Sequence, residues 1–263
     1  MQISLKWIYE LIENKTIELE NIIEKLTLGG FEVEEIREIT INNKKEIILE
    51  ISATANRSDS LSIQGLSNEI KVLLNSSNKI LNYSVKALNW KLIIENLTDN
   101  FLINLNCSMV LMVKIENLKN KKIPKWINKK LLSSSINPVN SLLDFQNYIL
   151  LETGYPFLFY DFNKIQEQLN VLKFNLSVSK LKSNINFLAS NEKLYKLDGS
   201  ILTVNANQLP ISIAGLVEGK NIMCSNSTNA LLIEGSLFSS KIIRQQSRKL
   251  GLRTDRSARY EKS

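Results

Sequence analysis

Hydrophobic positions recur at helical spacing from the start of the chain. Leu5, Ile8, Leu11 and Ile12 follow Ser4, a residue suited to capping a helix. Leu19, Ile22, Ile23 and Leu26 repeat the pattern, and Gly29-Gly30 predicts where that second helix stops. The period then changes. Residues 31–36 and 47–52 read as strands, and Asn42-Asn43 reads as a turn between them. Asp59 is expected to open a third helix carrying Leu66, Ile70, Leu73 and Leu74.

Residues 75–100 are polar, rich in Asn and Ser and weakly periodic, as expected of connecting chain with one strand inside. Beyond them, residues 109–115 form an apolar run suited to one buried strand. Pro124 sits where a first helical turn tolerates it, ahead of Trp126, Ile127, Lys130 and Leu131. Residues 141–151 predict another helix, with Gly154 as a stop. Strand-like runs follow at 171–176, 201–204, 211–217 and 230–234. Ser239 or Ser240 is expected to cap a last helix that ends at Gly251. The predicted class is α+β. A small N-terminal α/β domain spans 1–80, a linker spans 81–108, and a second α+β domain of mixed sheets and helices spans 109–263.

Composition narrows the chemistry. The chain has no histidine, which removes the commonest general base and excludes a Ser-His-Asp or Cys-His unit. Two isolated cysteines, Cys107 and Cys224, make neither a disulfide framework nor a zinc site and read as free thiols in a reducing compartment. No apolar run approaches the ~20 residues that a membrane span needs. The N-terminus carries Glu10 and Glu13, unlike a secretory signal or a transit peptide. Heavy use of Asn, Ile and Lys fits an AT-rich genome.

Charge is concentrated. Residues 241–262 hold eight basic and two acidic side chains, a net of 8 − 2 = +6, within a chain of net +7. Lys241, Arg244 and Arg248 share one helical face, and Arg253, Arg256 and Arg259 continue at three-residue intervals. Such a row either tracks a phosphate backbone or forms a solvated face. Arg57, in a polar turn ahead of a helix, either adds charge to an anion site or only holds the turn. The aromatic segment Gly154-Tyr-Pro-Phe-Leu-Phe-Tyr-Asp161 either clasps a ligand or closes a core. Ile213-Ala-Gly215 can bring bare backbone near a ligand, and Glu234, ending an apolar run, needs a partner if buried.

Taken in series, eight short words carry a resemblance. They are Gly30-Phe-Glu-Val-Glu34, Ala55-Asn-Arg-Ser-Asp-Ser-Leu-Ser62, Pro124-Lys-Trp126, and Asp144-Phe-Gln-Asn-Tyr148 with Gly154-Tyr-Pro156. Leu197-Asp-Gly199, Ile213-Ala-Gly215, Leu231-Leu-Ile-Glu-Gly235, and Leu250-Gly-Leu-Arg-Thr254 with Arg259-Tyr-Glu-Lys262 complete the set. In this order the chain resembles the beta subunit of phenylalanyl-tRNA synthetase, of the bacterial and organellar type. The resemblance implies a ligase of two alpha and two beta subunits that joins phenylalanine to tRNA(Phe) with ATP and Mg2+. The aminoacylation site would lie on the alpha subunit, so no residue here is expected to be catalytic for that step or to bind a metal. The second domain would be of the editing type (B3/B4-like), hydrolysing mischarged tyrosyl-tRNA. Its pocket would map to Asn147, Pro156, Leu158, Ala214, Gly215 and Glu234, with Arg244, Arg248, Arg253 and Arg256 as RNA contacts.

Three departures qualify what the resemblance implies. Only residues 37–45 fill the interval where bacterial members carry a tRNA-binding OB-fold insert. Plastid-encoded beta subunits share this shortening, which together with the codon bias implies the plastid stroma, the alternative being a bacterial cytoplasm. Leu158 stands where the family's pocket has a histidine, and Gln146 stands where it has a threonine beside Asn147. Leucine can neither hydrogen-bond nor position a water, so editing is expected to be weak or absent. The chain also ends before the family's remaining domains, as expected of a fragment truncated at the edge of the editing-type domain. Two other readings are a non-catalytic RNA-binding module using the basic C-terminal face, and a free-standing editing hydrolase, which the missing histidine argues against.

Overall fold

A computed structural model of the chain describes residues 1–12, 17–54, 57–74, 106–118 and 122–262. The expected linker at 81–108 lies outside them except for its last three residues, as do Ala55 and Asn56 of the polar turn. The chain divides into two compact units. One comprises the described residues of Met1–Leu92 with Ile123–Asn140 and Asn147–Gly154, and the other those of Ile93–Lys122 with Ser141–Gln146 and Tyr155–Ser263.

The first unit is built on an antiparallel sheet of order β1-β3-β2, from β1 (Gln2–Ser4), β2 (Phe31–Ile41) and β3 (Lys44–Ala53). Helices α1 (Leu5–Leu11), α2 (Leu19–Leu28) and α3 (Ile63–Leu73) bury Ile8, Leu26, Leu66 and Ile70 with Leu49 of β3. Asn42 and Asn43 both adopt left-handed backbone, at φ 51° and 59°. That turn matches strand twist, so the hairpin runs ten and eleven residues, longer than alternation predicted. Ser4 stands at the N-cap of α1 as expected, but its hydroxyl donates to Glu46 at 3.0 Å and caps nothing.

Asp59 does not open the third helix. Asp59–Leu61 forms a 3-10 turn, and Ser62 caps α3 by accepting from the Gly65 backbone N–H at 3.0 Å. Gly65 is required there, because a Cβ would lie 2.0 Å from the Asp59 carbonyl oxygen. Arg57 holds this turn. Its guanidinium donates to both Asp59 carboxylate oxygens at 3.0 and 2.8 Å and to Glu69 at 2.9 Å, and it lies 4.8 Å over the Phe31 ring.

Helix α4 (Lys125–Ser133) and most of α5 (Leu142–Thr153) belong to this first unit, although sequence order put them in the second domain. Aromatic packing supplies the reason. Trp7 stacks on Tyr148 at 5.7 Å and Trp126 meets the same ring edge-on at 5.1 Å. Lys130 lies among all three rings and pairs with Glu10 at 3.0 Å.

Among the described residues of the second unit, the strand pairings are all antiparallel. The apolar run at 109–115 is not one strand but two, β4 (Cys107–Met109) and β5 (Met112–Ile115). The break is filled by the Gly235 N–H, which donates to the Leu111 carbonyl at 2.8 Å. Strand β6 (Leu158–Asp161) occupies the aromatic segment. Asp161 then caps α6 (Phe162–Leu169), an element that periodicity did not predict. The strand expected at 171–176 begins later, as β7 (Leu176–Lys180). A hairpin, β8 (Ile185–Leu188) and β9 (Leu194–Leu197), precedes β10 (Leu202–Ala206). The run at 211–217 splits into β11 (Leu209–Ile213) and β12 (Val217–Glu218), because Gly215 turns between them at φ +69°. Strands β13 (Leu231–Glu234) and β14 (Leu237–Phe238) follow, then α7 (Ser240–Leu250), with Ser239 at its N-cap and Gly251 ending it in left-handed conformation, and α8 (Asp255–Lys262). The sheets are β12-β11-β10-β7, β5-β13-β6, β14-β4 and β8-β9. Leu158, Tyr160, Leu202, Ile213 and Ile243 meet in one buried core.

Candidate functional site: a closed carboxylate pocket

In the pairing of β6 with β13, Leu158 lies opposite Glu234 and Tyr160 opposite Leu232. Strand alternation therefore puts Leu158, Tyr160 and Glu234 on one face. All three are buried, at 1, 0 and 2% exposure. The Tyr160 phenol oxygen lies 2.9 Å from Glu234 Oε2 and 2.9 Å from Ser212 Oγ. A carboxylate can only accept, so the phenolic proton goes to Glu234. The Ser236 N–H donates to the other carboxylate oxygen at 3.3 Å. Burial pushes the Glu234 carboxyl above its ordinary value, against the opposing pull of hydrogen bonds from Ser236 and Tyr160 and of the Arg256 charge. Burial likewise raises Tyr160, helped by the Glu234 charge.

Two further elements close around this pair. The Ala214 carbonyl at the β11–β12 turn accepts from Gln246 Nε2 of α7 at 2.5 Å, and the same amide's oxygen accepts from the Leu202 N–H at 3.1 Å. Gly215 packs against α7 so closely that a Cβ would lie 2.7 Å from Ile243 Cδ1. At the break between β13 and β14, the Tyr155 and Tyr260 hydroxyls donate to the carbonyls of Gly235 and Ser236, each at 2.8 Å. Arg256 enters from α8. It lies 3.7 Å from Glu218 and its Nε donates to the Phe157 carbonyl at 3.4 Å.

The structure thus brings together Leu158, Ala214, Gly215 and Glu234 in the second unit, with half-buried Pro156 in the segment leading into β6. Asn147 belongs to the first unit. Gln146, beside it in sequence, is buried and accepts from the Phe159 N–H at 2.7 Å, satisfying an edge-strand donor of β6. Of the four arginines expected to contact RNA, Arg244, Arg248 and Arg253 are exposed. Arg256 is not. The period of α8 puts it inward with Arg259 and Tyr260, so the row at three-residue intervals is no surface stripe. Arg259 donates to the Asp255 carbonyl at 2.7 Å, and burial pulls its guanidinium down to about 10.

Sequence reading missed Tyr160, Ser212 and Glu218. Tyr160 was legible in principle, being two residues from Leu158, once the segment is read as a strand. Nothing in the pattern marks the other two. Both cysteines are free and buried, and burial pushes Cys107 up to about 11 and Cys224 up to about 12. Among the described residues, no group of three or more His, Cys, Asp or Glu is placed to hold a metal ion. No helix among them is long and apolar enough to cross a membrane.

Two antiparallel sheets closed over a buried carboxylate by a Gly-turn and two C-terminal helices define a class of domain. Residues 106–263 match the family model described as B3/4 domain. The chain belongs to that family, in its phenylalanine–tRNA ligase beta-subunit branch. It is 57% identical over its whole length to the chloroplastic phenylalanine–tRNA ligase beta subunit of Phaeodactylum tricornutum, covering 37% of that protein. It is 35% identical, again over its whole length, to the chloroplastic beta subunit of Pyropia yezoensis, covering 36% of it. Over 82% of the chain it is 32% identical to the beta subunit of Prochlorococcus marinus (strain MIT 9312), covering 27% of that protein. The chain thus spans little more than a third of the length of its chloroplastic relatives.

Proposed function

We propose that this chain is the N-terminal portion of the beta subunit of a plastid phenylalanine–tRNA ligase, acting in the plastid stroma. It contributes architecture and RNA contacts, and its editing pocket is shut. The observation that carries the family part is the identity to a chloroplastic beta subunit along every residue of the chain. On this reading the partners are an alpha subunit and tRNA(Phe). ATP and Mg2+ supply phenylalanine activation at the alpha subunit's site, and no step of that chemistry is assigned to residues described here.

The geometry of the second unit supports loss of editing. Hydrolysis of a mischarged tRNA needs a group that positions water. Leu158 offers no hydrogen bond, and Glu234 is already bonded to Tyr160 of the same chain. The Tyr160 phenol thereby takes up one oxygen of that carboxylate. Arg256 is likewise drawn inward to Glu218 and the Phe157 carbonyl.

Co-expression with the alpha subunit tests the ligase reading. The expected result is a co-purifying complex that charges a tRNA(Phe) transcript with phenylalanine. A beta subunit bearing this chain that neither assembles nor supports charging would refute it.

A further inference from the structure

The basic excess is not evenly placed. Residues 155–263 hold 15 basic and 8 acidic side chains, 15 − 8 = +7, and residues 1–154 hold 18 of each, so the second stretch carries the whole net charge of +7. Within it, residues 180–200 contribute four lysines, Lys180, Lys182, Lys193 and Lys196, all exposed, and two acids. Both acids are engaged inside the chain: Glu192 pairs with Lys220 at 3.0 Å and Asp198 with Lys249 at 2.5 Å.

A recess of about 260 Å³ opens at the base of the β8–β9 hairpin, lined by Asn184, Ile185, Asn186, Lys196, Leu197 and Asp198. Asp198 is its one carboxylate. Lys249 and the Ser200 hydroxyl and N–H hold it, so it stays anionic far below the usual carboxylate range. The Lys249 ammonium also lies 2.9 Å from Ser200 Oγ, which ties the last turn of α7, next to Arg248, to the rim of this recess. The hairpin register places Asn186 opposite Lys196 and Leu188 opposite Leu194. All four are exposed on one face: an amide and an ammonium, then an apolar pair.

We propose that the recess and the hairpin face take an unpaired nucleotide of RNA, whose neighbouring phosphates lie on Lys196 and Arg248. This deepens the ligase reading, which supplies the RNA, and rests on it for that. The chemistry fits in each part. Amides of Asn184 and Asn186 both donate and accept, as base edges require. The exposed leucine pair, on the same face as Asn186 and Lys196, suits the flat, apolar face of a base. The surrounding charge is positive once Asp198 and Glu192 are paired, as phosphates require. An acidic protein surface would use the lysines but not the recess.

The test is fluorescence anisotropy of the full chain with a labelled tRNA(Phe) transcript across a salt series. A double variant Asn184→Ala/Asn186→Ala is expected to weaken binding several-fold with the salt slope unchanged. Lys196→Ala/Arg248→Ala is expected to shallow the salt slope by about 2, at roughly one for each phosphate no longer neutralised. Asp198→Asn releases Lys249 and is expected to tighten binding and steepen the slope. All five side chains are at the surface, and an unchanged melting temperature confirms that each variant folds. Parent-like binding by the Asn184/Asn186 variant, equal affinity for a blunt RNA duplex, or no RNA binding by the chain would overturn the proposal. These outcomes are separate from the ligase reading, whose failure appears as loss of assembly with the alpha subunit and of phenylalanine charging.

Discussion

Replacing Tyr160 by Phe removes one oxygen from a fully buried site and leaves Glu234 without its phenolic donor. A hydrogen bond to a charged group is worth about 1.5–3 kcal/mol, and both partners here are buried. At about 2–4 °C per kcal/mol for a chain near this size, the melting temperature should fall by roughly 3–12 °C. The loss should act through Glu234. In a Glu234→Gln background only a neutral bond, about 0.5–1.5 kcal/mol, remains to be lost, so a double-mutant cycle should give a coupling of about 1 kcal/mol or more. The pH dependence has a fixed sign. The folded-state value of Glu234 is raised above 4.5. Its contribution is therefore fully present below about 4.5 and is lost as pH rises through the folded value. Urea titrations across pH should show Glu234→Gln gaining on the parent as pH increases. A Tyr160→Phe variant within 0.5 kcal/mol of the parent, or a cycle with no coupling, would refute the reasoning.

Three further outcomes follow from the packing. Gly215→Ala must hold φ +69° with a Cβ 2.7 Å from Ile243 Cδ1, so it should cost more than Gly251→Ala, which has φ +57° and open space; urea midpoints separate the two by about 1 kcal/mol or more. Lys130→Met loses the Glu10 pair and the ammonium 4.6 Å over Trp7, and should destabilise the first unit by about 1–2 kcal/mol with a shift in tryptophan emission. Cys107 and Cys224, buried and pushed up to about 11 and 12, should resist a thiol reagent at pH 8 until denaturant is added.

Where an element shows its period on its own, the sequence predicts it well. The Asn42-Asn43 hairpin, the helix after Pro124 and the helix ending at Gly251 all lie where spacing and turn residues put them. The misreadings share a cause: an apolar run records burial and not continuity. Residues 109–115 and 211–217 look like single strands, but each is broken where a distant partner requires it, Gly235 in the first and Ile243 in the second. Contacts also cross sequence order: helix α4 and most of α5 pack in the first unit, where Trp126 and Tyr148 meet around Trp7. Charge misled in the same way at α8, where Arg256 and Arg259 face inward toward carbonyls and a carboxylate that no local pattern reveals. The candidate site was half legible. Glu234, Ala214, Gly215 and Leu158 follow from the family words, whereas the Tyr160 phenol that holds the carboxylate emerges only from strand register.

A pocket closed from within by Tyr160 should leave tyrosyl-tRNA intact. Deacylation of tyrosyl-tRNA(Phe) by the assembled ligase containing this chain tests this most directly. Decay should run at the rate seen without enzyme, unchanged by Glu234→Gln. Rapid hydrolysis that Glu234→Gln abolishes would contradict it.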